Sequence, residues 1–219
     1  DSFDYLIIDD AGATHSATAT LRISSNTNPT AIDDTLVVAE DALSVQLSGD
    51  AAASINVEAN DTEIDDGDSL SILSVSVDPL HGTSQVTNGV LFYTPDTNYV
   101  GTDTFSYILK DTRGGRDEAS VTLTITAVND LPTAIVDNVS IEAESSVTIV
   151  DVLGNDSDLD GDTLTVIDVD DESLKGSAVE LTNGVVTFAP KAGFTGSDSF
   201  TYTVSDGTAT ATATVNVTV

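Results

Sequence analysis

Residues 103–111 read DTFSYILKD, and the same frame stands at Asp1 as DSFDYLIIDD and at Asp198 as DSFTYTVSD. In each, an Asp is followed at fixed offsets by Phe, Tyr and a second Asp: Phe3, Tyr5 and Asp9; Phe105, Tyr107 and Asp111; Phe200, Tyr202 and Asp206. A Phe and a Tyr two positions apart share one face of an extended strand, so the frame predicts a half-buried strand that recurs three times. Upstream of the second and third occurrences the agreement continues, through Asn88-Gly89 with Asn183-Gly184, Pro95 with Pro190, Tyr99 with Phe194 and Gly101 with Gly196. The chain therefore reads as repeat A over residues 29–127 and repeat B over 132–219, joined by a linker at 128–131. Residues 1–28 match only the closing hairpin of a preceding repeat and its linker.

Apolar and polar residues alternate with a period of two through both repeats. Ala211, Ala213, Val215 and Val217 interleave with Thr and Asn, as Val121, Leu123 and Ile125 do in repeat A. Asn-Gly pairs supply the positive φ angles of two-residue type I′ hairpins. About seven short strands in 90 to 100 residues predict an all-β chain with one sandwich per repeat. The LSGDAAAS stretch, residues 47–54, makes repeat A longer than B.

The 219 residues carry 37 acidic against 6 basic side chains, no Cys, and a formal charge of −31. That balance repels nucleic acid and anionic membrane and points to cations as electrostatic partners. The absence of Cys removes disulfides and thiolate chemistry, leaving bound metal as the means of stiffening a secreted chain. No apolar run is long enough to insert in a membrane. Because the chain opens on Asp1 rather than Met, we expect a piece of something longer. No G-x-S-x-G elbow, phosphate-binding glycine loop or partnered histidine appears, and the expectation is that the protein is not an enzyme.

Two acidic loops carry the chemistry. NDSDLDGDTL of repeat B alternates Asp156, Asp158, Asp160 and Asp162 around Gly161; NDTEIDDGDSL of repeat A places Asp61, Glu63, Asp65 and Asp68 around Gly67. Calcium takes six to eight oxygens at about 2.3 to 2.6 Å, and a turning loop aims alternate carboxylates at one point. The expected cofactor is calcium.

The run YILKDTRGGRDEASVTLTITAVNDLPTA, with Asp111, Asn129, Asp130 and Pro132, resembles the closing strands and linker of a cadherin repeat, and more closely the cadherin-like tandem repeats of giant bacterial surface adhesins. The resemblance implies an immunoglobulin/cadherin-like sandwich in which Asp111, Asn129 and Asp130 hold calcium together with Glu40 and with Asp158 and Asp160 of the next repeat. Asp41 adjoins Glu40, repeat B offers both Glu142 and Glu144 at the corresponding place, and no Asp-Arg-Glu motif is present, which implies fewer ions per junction; the alternative is a purely intradomain calcium in each acidic loop. The lead-in to repeat A, Asn26-Thr27-Asn28, lacks the carboxylate that Asp130 supplies to repeat B. The implied function is a calcium-rigidified extracellular or cell-surface spacer in an adhesin, whose partners are neighbouring repeats of the same chain. The alternative is a ligand-binding or self-associating module, with residues 1–23 sharing strands between copies.

Overall fold

The computed structural model describes residues 1–21, 25–49, 55–170 and 173–219; residues 50–54 of the longer stretch in repeat A and Ile23 of the leading hairpin lie outside it. The chain divides into two compact units, Asp1–Ala127 and Val128–Val219. Among the described residues there are strands and no helix, so none is long and apolar enough to cross a membrane.

A hairpin comes first, β1 (Ser2–Ile8) and β2 (Thr14–Thr20). Repeat A follows with β3 (Asp34–Ala39), β4 (Val45–Gln46), β5 (Ser71–Val77), β6 (Gly82–Thr87), β7 (Val90–Pro95), β8 (Gly101–Lys110) and β9 (Arg116–Thr126). Repeat B repeats the set as β10 (Asp137–Ser140), β11 (Thr148–Val150), β12 (Thr165–Val169), β13 (Ala178–Thr182), β14 (Val185–Ala189), β15 (Ser197–Ser205) and β16 (Thr210–Thr218). Each repeat has a four-stranded sheet, β3-β9-β8-β5 or β10-β16-β15-β12, and a three-stranded one, β4-β7-β6 or β11-β14-β13. The first strand of each repeat runs parallel to the last, and the remaining pairs are antiparallel. Two sheets, seven strands and this order make each repeat an immunoglobulin-like sandwich, as the period-two pattern predicts.

The alternation decides which side chains lie between the sheets. Phe105, Tyr107 and Leu109 of β8 and Val121, Leu123 and Ile125 of β9 are buried, while the Thr and Ser between them face outward or are half-buried. Tyr93 of β7 stacks on Phe105 of the opposing sheet at 5.8 Å, and Phe188 on Phe200 at 5.9 Å in repeat B. Burying one such ring contributes roughly 1.5 to 3 kcal/mol. Asn88-Gly89 and Asn183-Gly184 turn β6 into β7 and β13 into β14 with φ of 54° and 82°, and 52° and 79°. These are the two positive angles of a type I′ turn.

The first Asp of the recurring frame is a buried clasp. Asp198 accepts hydrogen bonds from Ser173 Oγ (2.6 Å), Ser177 Oγ (2.8 Å), Lys175 N (2.8 Å) and Ser199 N (2.8 Å). Asp103 accepts from Leu80 N, His81 N, Thr104 N and Tyr93 OH at 2.8 to 3.0 Å. In both repeats the carboxylate ties the strand it starts to the loop beside it.

In β1–β2, Phe3 lies opposite Ala19 and Tyr5 opposite Ala17, the register in which Phe105 meets Val121 and Tyr107 meets Ala119. Among the described residues the hairpin pairs only with itself, and Phe3 and Ile7 are 55% and 59% exposed where Phe105 and Leu109 are at 2% and 0%.

Candidate metal centres

Each acidic loop joins the second strand of its repeat to the third. In repeat A, a bridge between Thr30 and Thr62 pins the loop to the segment that leads into the sandwich. Asp61 turns inward: Oδ1 accepts from Ile32 N at 2.8 Å and Oδ2 faces the Tyr107 hydroxyl at 3.1 Å. Glu63 Oε1 accepts from Asp65 N at 2.7 Å, and Asp65 Oδ2 accepts from Thr27 N at 2.6 Å. Asp111 sits where β8 turns into β9; its Oδ1 accepts from Arg113 N and Gly115 N at 2.8 and 2.9 Å, and its Oδ2 from Asn26 Nδ2 at 2.9 Å. A side chain at Gly115 would collide with Asp111 Oδ2, which explains the second glycine of the turn. Against the upward push of burial, the bonds from Asn26, Arg113 and Gly115 hold the Asp111 carboxyl below the usual carboxylate range.

Glu63, Asp68 and Asp111 each bring one oxygen within 4.8 Å of the others. Oxygens on opposite sides of one calcium ion stand about 4.6 to 5.2 Å apart, so this spacing fits a single ion. Without a cation, each such pair of charges repels by about 3 kcal/mol at an effective dielectric near 20. Glu63 Oε2 and Asp68 Oδ2 are buried and accept no hydrogen bond, a condition that buried carboxylate oxygens seldom tolerate without a ligand.

Repeat B builds a related arrangement in a loop one residue shorter, its three converging carboxylates all from that loop. Asp156 turns inward to Ile135 N (2.8 Å) and the Tyr202 hydroxyl (3.0 Å). Asp160 Oδ2 accepts from Asp130 N at 2.7 Å, and Asp206 Oδ2 accepts from Asn129 Nδ2 at 2.9 Å. Asp158, Asp160 and Asp162 converge within 4.8 Å, and Asp158 Oδ2 is buried without a hydrogen-bond partner. The segment at 128–131, expected as a linker, is thus bonded into the second unit through Asn129 and Asp130. Bonds from Ala209 N and Asn129 hold the Asp206 carboxyl below the usual range.

Within each unit the structure brings the following candidate residues together. Asp111 lies in the first unit with Asn26, Glu63 and Asp68, and the residue meeting Asn129 is Asp206. Glu40 is buried at the far end of the same strands, where its N–H donates to Thr126 O at 2.9 Å. The 11 residues of β9 separate the two ends, about 35 Å, so Glu40 and Asp111 cannot share an ion. The physical reason is the antiparallel hairpin, whose turn and whose outgoing chain lie at opposite ends. Asn26 and Asp206, which the sequence reading did not single out as ligands, hydrogen-bond with Asp111 and Asn129, and Asp206 closes the third occurrence of the opening frame.

A second acidic group lies beneath each centre. Tyr107 OH faces Asp34 Oδ2 at 3.3 Å, Asp61 Oδ2 at 3.1 Å and Val57 O at 3.1 Å, and one hydroxyl proton cannot serve three acceptors. Burial first, then the neighbouring Asp61 charge, pushes Asp34 up to about 7, and burial raises Asp61 as well. Asp137 of repeat B is raised for the same reasons, with Asp156 as its neighbour.

A family described as bacterial Ig domain matches residues 26–124 and 129–218. Integrin beta-like protein A of Dictyostelium discoideum is 37% identical over 71 residues, which are 32% of this chain and 4% of that protein. Among solved structures, human mucin-like protocadherin EC1-2 is 15% identical with a TM-score of 0.42, over 87% of this chain and 97% of that one. A protocadherin gammaB7 EC3-6 cis-dimer is 15% identical with a TM-score of 0.46, over 100% and 57%. An endo-fucoidan hydrolase of glycoside hydrolase family 107 is 18% identical with a TM-score of 0.27, over 69% and 28%.

Proposed function

Since this chain belongs to the bacterial Ig domain family through two consecutive copies, we propose that it is a calcium-rigidified spacer in the extracellular part of a surface adhesin. The observation that carries this reading is the recurrence, at the start of both repeats, of converging carboxylates with buried oxygens that accept nothing. A calcium ion at each centre would tie the lead-in segment, Asn26-Thr27 or Asn129-Asp130, to the sandwich that follows it. Little free chain then remains between one repeat and the next, and a short, pinned connection is what a stalk requires. Repetition of the acidic set, rather than a unique cleft, supports a structural role over a catalytic one.

Calcium is expected to raise the melting temperature of both repeats, by about 2.7 kcal/mol of stability at a hundredfold excess over Kd. Scattering should show a longer maximum dimension with calcium than with chelator. In repeat B, Asp158→Asn removes a carboxylate whose second oxygen is buried and bare; it is expected to weaken calcium binding about tenfold and leave the sandwich folded. A melting temperature and dimension that ignore chelator would sink the calcium reading.

A second reading, self-association through residues 1–23, is favoured by the open faces of the leading hairpin. Under the spacer reading, deleting residues 1–23 leaves both repeats monomeric and equally stable, because β1 and β2 pair only with each other. Sedimentation that finds an oligomer of the intact chain, abolished by the deletion, selects strand sharing instead.

A further inference from the structure

Resting on the calcium reading above, we propose that Arg113 is a tethered counter-cation of the repeat A centre, so that this centre takes calcium more weakly than its counterpart in repeat B. Arg113 Nε lies 3.3 Å from Asp68 Oδ1, and its Nη2 donates to Asp66 O at 3.3 Å. The backbone of the same residue is fixed to the centre, since Arg113 N donates to Asp111 Oδ1. The Asp68 side chain is only 4% exposed, and its Oδ1 also accepts from Thr112 Oγ1 at 2.5 Å. Its Oδ2 is buried and accepts nothing. The guanidinium therefore neutralises one edge of the centre and leaves an oxygen bare, which makes the centre partly compensated rather than filled.

A guanidinium keeps its charge at any pH the chain meets, and, being part of the chain, it needs no association to be present. It repels a divalent ion a few ångströms away and competes with it for Asp68 Oδ1. In repeat B the corresponding turn reads Asp206-Gly207-Thr208-Ala209, with no cation. The Arg113–Asp68 ion pair forms in a chain with six basic side chains against 37 acidic ones. One scarce cation thus stands at the centre of one repeat, and the other repeat has Thr208 in its place.

The test uses the full chain with Asp158→Asn and Asp160→Asn, which confines calcium binding to repeat A. Titration calorimetry with calcium is expected to show about tenfold tighter binding when Arg113→Thr is added, and unchanged binding for Arg113→Lys, which keeps the charge. In chelator at low salt, Arg113→Thr should also lower the melting temperature of repeat A, and added salt should remove that difference. With repeat A silenced by Asp68→Asn and Asp111→Asn, Thr208→Arg should weaken binding to repeat B. If Arg113→Thr binds calcium no more tightly than its parent, the tethered-cation role is wrong while the calcium reading stands. If the unmutated chain binds no calcium in either repeat, the calcium reading fails and takes this proposal with it.

Discussion

Asp198→Ala is expected to cost repeat B about 3 to 5 kcal/mol, the range seen when a buried, multiply bonded charge is deleted. The carboxylate is 4% exposed and accepts four hydrogen bonds, two of them from the hydroxyls of the buried Ser173 and Ser177. Alanine leaves the two buried serine hydroxyls without this acceptor and opens a small polar cavity between β15 and the loop before β13. Against the upward push of burial, the same bonds hold the Asp198 carboxyl below the usual range. Its contribution is therefore present above the unfolded pKa and lost as pH falls through the folded one. For a domain of this size each kcal/mol moves the melting temperature by roughly 4 to 8 °C, so the variant should melt about 15 °C or more below its parent. Repeat A, with its own clasp at Asp103, should melt unchanged. A shift of only a few degrees in repeat B would show that the serines find other partners.

The second large effect runs the opposite way with pH. Asp34 is raised from 3.8 to about 7, so the folded repeat A holds a proton there that the unfolded chain releases. Stability from this group is full below the unfolded value and lost as pH rises through about 7. The full shift corresponds to roughly 4 kcal/mol. In chelator, repeat A is expected to melt at higher temperature at pH 5 than at pH 8. Asp34→Asn keeps a polar partner for Tyr107 without the charge; it should flatten the dependence and raise the melting temperature at pH 8 by about 10 °C. An Asp34→Asn repeat that melts with its parent at pH 8 would mean that water or relaxation already supports the ionised pair.

The sandwich was legible in the sequence because its causes are local. Alternation along DTFSYILKD fixes which side chains face inward, and Asn-Gly fixes two turns per molecule, whatever the rest of the chain does. The acidic loops were legible as oxygen-rich turns for the same reason. The spatial placement of the candidate residues was not, because it depends on which end of an antiparallel hairpin a residue reaches: Asp111 and Glu40 are separated by the length of β9. Spacing, from which Asp61 and Asp156 were read as ligands, does not disclose that both carboxylates turn to a tyrosine hydroxyl one layer down. That choice follows from Tyr107 and Tyr202, whose rings are buried while their hydroxyls reach the loop. Nor does spacing disclose Arg113, which a pattern of carboxylates alone ignores.

The hydrogen bonds from Asn26 and Thr27, and from Asn129 and Asp130, carry a genetic implication. The candidate ligands of repeat A all lie within residues 26–111 and those of repeat B within 129–206. A recombination breakpoint between Ala127 and Asn129 therefore transfers a sandwich with its whole set of carboxylates. A copy gained or lost at that point brings or removes its acidic loop together with the lead-in segment bonded to it.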